Sequence, residues 1–246
     1  MFEVIALGVG DTFSEHHNTS ALLLSCDGFL LAVDCPDTYR RVVKEAASRS
    51  GRPFDVSDID HVLITHVHGD HMNGLEGLAF YKHFVERKRL HLATSDEVRE
   101  VLWDQRLTAS MRMLWNGQTF RELGFEDYFD FQQLSWTGTN TIGPFRIRTR
   151  RTMHHVPTSA LLVEAGGRTF GYSSDTAFDP ELIRFLEPAD LIVHETNLGP
   201  AHTSYADLDG LPTSLKQKMR LIHYPDGFEE AESSIALLEE GDILKV

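Results

Sequence analysis

Apolar and polar positions follow two rhythms along this chain, one of period two and one of helical period. Short apolar or alternating runs bounded by turn residues predict strands at "FEVIALG", "ALLLS", "FLLAVD", "HVLIT", "LHLAT", "FRIRTR", "SALLVEA", "RTFGYSS", "DLIVHE" and "MRLIHY". "SCDGFL" and "EAGGRTF" carry Asp-Gly and Gly-Gly pairs, which accept the positive φ of a tight hairpin. Helical spacing predicts helices over about 38–48, 72–85, 95–107, 179–186 and 229–239, with Ser95 as an N-cap before an acidic first turn. Strands interleaved with helices predict a layered α/β fold, and the hairpins predict mixed sheets. The aromatic stretch "MRMLWNGQTFRELGFEDYFDFQQL" keeps neither rhythm. Together with the helix before it, it predicts a partly helical excursion at about 95–131 on a single domain spanning 1–246. That excursion is either a satellite core or a lid or pocket wall.

A chain of 246 residues can bury one continuous core. Its 41% apolar and 24% charged residues match a soluble globular protein, and no apolar run reaches the length of a membrane span, so no membrane partner is expected. The opening "MFEVIALGVGD" has no basic region and enters a strand pattern at once, so no secretory signal is read. Cys26 and Cys35 make no disulfide framework and are expected as reduced thiols in a cytoplasmic protein. The formal net charge of −14 repels nucleic-acid backbones. Arg146, Arg148 and Arg150 share one strand face beside Arg151. A solvated face is expected there rather than a nucleic-acid groove, with one arginine leaning toward an anionic substrate as the other option.

"LITHVHGDHMNGL" puts His66, His68, Asp70 and His71 within six positions, directly after an apolar strand. A solvated loop does not need this composition, and a packed core would reject it. Metal binding accounts for it. Residues two apart in extended chain face the same way, so His66 and His68 can converge on one ion. Gly69 permits a sharp turn, after which Asp70 and His71 aim at a neighbouring point. Four candidate ligands from six residues exceed what one zinc site ordinarily draws, so two ions are expected. His154, His155, Asp175, His194, His202 and His223 each follow or adjoin an apolar strand. One histidine at a strand end is ordinarily structural. Several of them beside an H-x-H-x-D-H cluster point to a site at one sheet edge.

"HVHGDH" resembles the signature of the metallo-β-lactamase-fold hydrolases, and the resemblance runs over nearly the whole chain. "ALLLSCDGFLLAVDCP" is similar to that family's opening hairpin, with Asp34 in its structural place. "HHVPTSALLV" resembles the third motif and "YSSDTAF" the segment of the bridging aspartate. "VHET", "HTS" and "LIHYP" resemble the tRNase Z and cyclic-phosphodiesterase branch. The resemblance implies a four-layer αββα sandwich of two mixed β-sheets flanked by helices, with a dinuclear site where the sheets meet. It implies His66, His68 and His154 on one ion, Asp70, His71 and His223 on the other, and Asp175 on both. His155 is the alternative to His154, which is preferred because Pro157 matches the branch's proline three residues after the ligand. A nitrogen and oxygen donor set without thiolate suits Zn²⁺, with Mn²⁺ or Fe²⁺ as alternatives. Two such ions share a water or hydroxide, lower its pKa and neutralise charge on the attacked group. Asp70 is the candidate for orienting that nucleophile and His202 for protonating the leaving group. The other reading of His202 is a loop histidine bonded to its neighbours. His194 with Glu195 is expected to orient the site from behind the ligands. His16, His17, His61, His83 and His91 match no ligand motif and read as structural or surface residues, although His16 and His17 could reach the pocket from the first loop.

The chain departs from tRNase Z in two places. Only "HVPTSALLVEAGGRTFGYSS" separates His154 from Asp175, which fits a hairpin and leaves no room for that branch's long basic arm. "HYPDGF" also replaces its "HFSxRY"-like ending. Together with the acidity, these disfavour tRNA as a partner. The expectation is a dinuclear metal-dependent hydrolase, a phosphodiesterase acting on a small or cyclic anionic phosphodiester. The alternatives are a lactonase or other ester or amide hydrolase on the same site, and a metal-binding regulatory protein with little turnover. A homodimer is left open.

Overall fold

A computed structural model of the protein describes residues 1–228 and 233–246. Its strands, in chain order, are β1 (Phe2–Gly8), β2 (Ala21–Cys26), β3 (Phe29–Val33), β4 (His61–Leu63), β5 (Leu90–Thr94), β6 (Met113–Trp115), β7 (Phe120–Glu122), β8 (Phe129–Gln133), β9 (Asn140–Ile142), β10 (Phe145–Arg151), β11 (Ser159–Ala165), β12 (Arg168–Tyr172), β13 (Leu191–Glu195), β14 (Met219–Ile222) and β15 (Ile243–Lys245). One sheet has the order β15-β1-β2-β3-β4-β5-β8 and the other β14-β13-β12-β11-β10-β9, while β6 and β7 pair as a separate hairpin. Each sheet is mixed. An antiparallel meander passes into parallel strands at β3–β4 in the first and at β12–β13 in the second.

Side-chain alternation builds the layers. Phe2, Val4 and Ala6 of β1 and Leu22 and Leu24 of β2 meet Ile147, Leu161, Val163 and Phe170 of the second sheet in the space between the sheets. Ile5, Leu7 and Leu23 point the other way, into a core shared with the helix Tyr39–Ser50 and the helical segments that follow β4 and β5. Ala160, Leu162 and Ile192 likewise face the helix Pro180–Leu186. Both sheets are therefore buried on two faces, which gives the αββα order of the metallo-β-lactamase fold. The hairpin turns take the expected form, with Asp27 and Gly28 at φ 50° and 85°, and Gly166 and Gly167 at 57° and 76°.

One expectation, the last predicted helix, needs correction. Residues 229–232 of the last predicted helix lie outside the described residues, and 233–239 form no helix. The Leu221 N–H donates to the Ala236 carbonyl and the Leu238 N–H to the Leu221 carbonyl, so this segment runs extended beside β14. Its apolar residues split between two cores, Ile235 in one and Leu238 in the other, and that split mimics helical spacing. The segment 95–131 is partly helical. After Asp96–Met111 it forms the β6–β7 hairpin and the short helix Phe125–Tyr128, then supplies β8 as an edge strand. The Ser95 cap is present, its Oγ accepting from the Val98 N–H at 3.4 Å. The arginine face of β10 is a solvated one, where Arg148 pairs with Glu164 and Arg150 with Asp179, and neighbouring Arg151 pairs with Glu97. Cys26 and Cys35 are free and buried. Among the described residues, no helix is long and apolar enough to cross a membrane.

Candidate metal centre

Strands β4, β10, β12, β13 and β14 all end at one edge of the sandwich, the usual place for a site in a layered α/β fold. The segment after β4 carries His66, His68, Asp70 and His71, and the segment after β10 carries His154. Asp175 follows β12, and His223 follows β14. Ligand atoms of His66, His68, His154 and Asp175 form one group within 4.8 Å of one another, and those of Asp70, His71 and His223 form a second. His154 Nε2 lies 3.1 Å from His68 Nδ1, and Asp175 Oδ2 lies 3.7 Å from His66 Nε2 and 3.6 Å from His154 Nε2. In the second group His71 Nε2 and His223 Nε2 lie 3.5 and 3.3 Å from Asp70 Oδ2. Asp175 belongs to this group as well, with Oδ1 3.3 Å from His71 Nε2 and Oδ2 3.6 Å from His223 Nε2. With Zn–N bonds of about 2.0–2.1 Å, tetrahedral ligands stand about 3.3 Å apart, so these separations fit donors aimed at a shared ion.

Polar accounting points the same way. His66 Nε2, His71 Nε2 and Asp175 Oδ1 are buried with no hydrogen-bond partner, a costly state for polar atoms inside a protein. Burial, and then the neighbouring His71, drives the His66 imidazole far below its ordinary pKa. Burial lowers His154 to about 4. Burial works against protonated His71 too, but Asp175, Asp70 and Asp34 around it raise its pKa well above the ordinary value. Asp70 and Asp175 stay ionised against their burial, Asp70 chiefly through His71 and His223, Asp175 chiefly through His223 and His71. Two carboxylates and a nest of imidazoles thus share protons that a divalent cation can replace. The cluster is able to bind metal ions.

The candidate ligand rings are held from behind. Fully buried Asp34 accepts the Thr65 N–H at 2.8 Å and its hydroxyl at 2.9 Å, and lies 2.9 Å from His71 Nδ1. His154 Nδ1 lies 3.0 Å from the Ala201 carbonyl oxygen. Asp34, Ser174 and His223 adopt φ of 66°, 51° and 62°, left-handed values that cost non-glycine residues energy and tend to gather at functional sites.

The remaining candidates separate. His202 lines the cavity beside the donors, and its Nδ1 lies 3.0 Å from Glu195 Oε1. Its ring also offers a donor atom within 4.8 Å of those of Asp175 and His223. Burial, and then Asp175, raises the Glu195 carboxyl well above its usual range. His194 was expected to orient the site with Glu195. It is instead turned into the fold, with Nδ1 2.8 Å from the Glu195 carbonyl oxygen, and burial lowers it to about 4. His155 lines the cavity mouth, its ring 6.2 Å from that of His68. His16 is exposed and His17 packs on Tyr224, and neither lines the cavity. His61 stacks on His91, and His83 packs on Tyr128. Sequence reasoning missed Asp11, Phe13, Asn197 and Leu198, which also line the cavity and belong to no ligand motif. Its volume is about 540 Å³, and no lysine or arginine is among its described lining residues.

Comparison with known proteins agrees with this fold. The protein YhfI from Bacillus subtilis, of metallo-β-lactamase fold, aligns with a TM-score of 0.76 at 18% identity, over 99% of this chain and 98% of that one. Human tRNase Z, short form, aligns at 0.71 and 17%, over 99% and 98%. Zn²⁺-bound PqqB from Methylobacterium extorquens aligns at 0.72 and 15%, over 99% and 100%. In sequence, the anti-Pycsar protein Apyc1 of Bacillus phage vB_BveM-Goe7 is 30% identical over 241 residues, covering 91% of this chain and 89% of the relative. That of Paenibacillus sp. (strain J14) is 31% identical over 230 residues, with the same coverage. The family model for anti-Pycsar protein Apyc1 matches residues 2–242, and on that match the chain belongs to the anti-Pycsar protein Apyc1 family.

Proposed function

We propose that this protein is a dinuclear metal-dependent phosphodiesterase that opens the ring of a small cyclic nucleotide. The observation that carries the reading is Asp175, whose two carboxylate oxygens face both donor groups at once. His66, His68 and His154 would hold one ion and Asp70, His71 and His223 the other. Zn²⁺ is the proposed ion, with Mn²⁺ or Fe²⁺ as alternatives. Bound ions of this kind supply Lewis acidity and make water a nucleophile at neutral pH. Relatives in this family are named anti-Pycsar proteins, and the resemblance of "VHET", "HTS" and "LIHYP" to the cyclic-phosphodiesterase branch supports a cyclic phosphodiester over a lactone. A cavity with no lysine or arginine among its described lining residues, in a chain of net charge −14, favours one phosphodiester over a polyanion such as tRNA.

Hydrolysis adds water across one P–O bond. The water oxygen joins phosphorus, the ribose oxygen leaves, and the product is a linear nucleotide monophosphate. Asp70, ionised at the cavity floor, orients the attacking oxygen. The leaving oxygen needs a proton, and His202 is placed to give it. Glu195 holds His202 Nδ1, which leaves Nε2 as the donating nitrogen. This reading takes residues 1–246 as one functional unit, with the 95–131 excursion bracing the ligand loop. Arg106 of that excursion donates to the Val67 carbonyl at 3.3 Å and to Asn73 Oδ1 at 2.8 Å.

The test is a substrate panel on Zn²⁺-loaded protein. We expect 3′,5′-cyclic mononucleotides to be converted to linear monophosphates, with precursor tRNA left intact. Turnover of lactones or thioesters with no diester activity would reassign the reaction, and metal-loaded protein inert to the whole panel would make it a binding protein.

A further inference from the structure

Among the described residues, the two most exposed large apolar side chains are Phe13 at 85% and Leu198 at 77%. Both line the cavity that also holds Asp70, Asp175, His202 and His223. They come from different loops, one after β1 and one after β13, yet their backbones hang from a single polar bridge. Asp11, itself buried, accepts the Phe13 N–H at 2.9 Å through Oδ1 and Asn197 Nδ2 at 3.2 Å through Oδ2. Asn197 accepts the Leu198 N–H at 2.7 Å through Oδ1, and its Nδ2 lies 3.3 Å from His223 Nδ1. The Phe13 loop is pinned again by Asp226, which accepts the Ser14 hydroxyl and the Glu15 N–H. The chain thus holds two apolar groups out in water and fixes them relative to a metal-site ring. Apolar surface exposed in a fixed place marks a binding surface, and fixing it beforehand removes an ordering cost from binding.

We propose that Phe13 and Leu198 form an apolar seat for the base of the substrate, with the cyclic phosphodiester on the donor cluster below. This rests on the function proposed above and deepens it. A nucleobase presents flat apolar faces that stack on an aromatic ring whatever the pattern of its edges. A cavity of about 540 Å³ suits one small ligand. The chemistry of the lining changes from charged donors at the floor to apolar groups at the mouth, as does a cyclic mononucleotide from phosphate to base. Asp11 and Asn197 are positioning residues that fix the seat relative to His223.

The test compares Zn²⁺-loaded wild type with Phe13→Ala, Leu198→Ala and Phe13→Tyr. The substrates are a 3′,5′-cyclic mononucleotide and 1-O-methylribose 3′,5′-cyclic phosphate, the same ring without a base. Each alanine variant should raise KM for the nucleotide roughly 5- to 100-fold, the range for losing one base-stacking contact, with a much smaller change in kcat. The base-free compound should keep its KM within about twofold, because it has no stacking contact to lose, and Phe13→Tyr should keep the wild-type KM. Equal losses on both compounds, or none on either, would overturn the seat. An unchanged KM with a shift of oligomeric state on sizing would also overturn it and make the patch a contact between copies. If wild type hydrolyses neither compound, the proposed function falls, and calorimetric binding of the same two compounds decides the seat alone. Nucleotide binding that weakens selectively in the alanine variants supports it, and no nucleotide binding, or equal weakening, overturns it.

Discussion

At the scale of single residues, Asp175 and His202 make opposite predictions although they sit in one cavity. Asp175 faces both donor groups, so Asp175→Ala should impair both metal positions, whereas His223→Ala should mainly weaken the second. Metal content by elemental analysis after dialysis checks this, and an alanine variant that keeps two tightly held ions would remove Asp175 from its bridging place. His202 is proposed to act on the leaving group, so His202→Ala should keep its metal and fold while kcat falls about 10²–10⁴-fold. The loss should shrink for a diester with a good leaving group, which needs little protonation. Metal lost together with activity would make His202 a ligand, the role its proximity to Asp175 and His223 also permits.

Residues of this kind were legible where chemistry crowds the sequence. "HVHGDH" cannot be a core and need not be a loop. Strand parity explains the miss at His194. Val193 faces the space between the sheets, and Ile192 faces the helix layer. His194 therefore shares the Ile192 side, and Glu195 falls on the side of Val193 and the site. Asp11 and Asn197 left no trace in the sequence, because a polar loop residue acquires a partner only when the fold brings two distant loops together.

At the scale of elements, the site depends on how strand ends are tied to one another. Asp34 directly follows β3 and ties that strand end to the segment after β4 through Thr65 and His71. Asp34→Ala should lower Zn²⁺ affinity about 10- to 100-fold, the usual cost of losing the group behind a ligand histidine. Competition with a chromophoric chelator measures it, and an unchanged affinity would show that His71 is oriented by packing alone. Strands with a full apolar set, such as β1, β5 and β11, were read from the sequence with the boundaries they have in the fold. The hairpin β6–β7 was not, because its side chains are largely exposed and carry no periodic pattern of burial. Strand β8 was missed because an edge strand is buried only at one end. The stretch 233–239 misled because its apolar residues serve two cores.

At the scale of the whole molecule, the two sheets repeat one plan, a meander passing into parallel strands, and that plan brings candidate ligands from distant segments to one edge. The mixed sheets and four layers were legible in the alternation of strands and helices together with the family resemblance. The cyclic-nucleotide reading was only partly so, and the cavity's lining and the family match add to it. The most direct test of a two-ion hydrolase is titration of metal-free protein with Zn²⁺ while hydrolysis of a 3′,5′-cyclic mononucleotide is followed by ³¹P NMR. The account predicts no turnover without metal and a rate that climbs until two equivalents are bound, with the melting temperature rising alongside because the ions bind only the folded chain. Saturation at one equivalent, or turnover that persists in excess chelator, would contradict it.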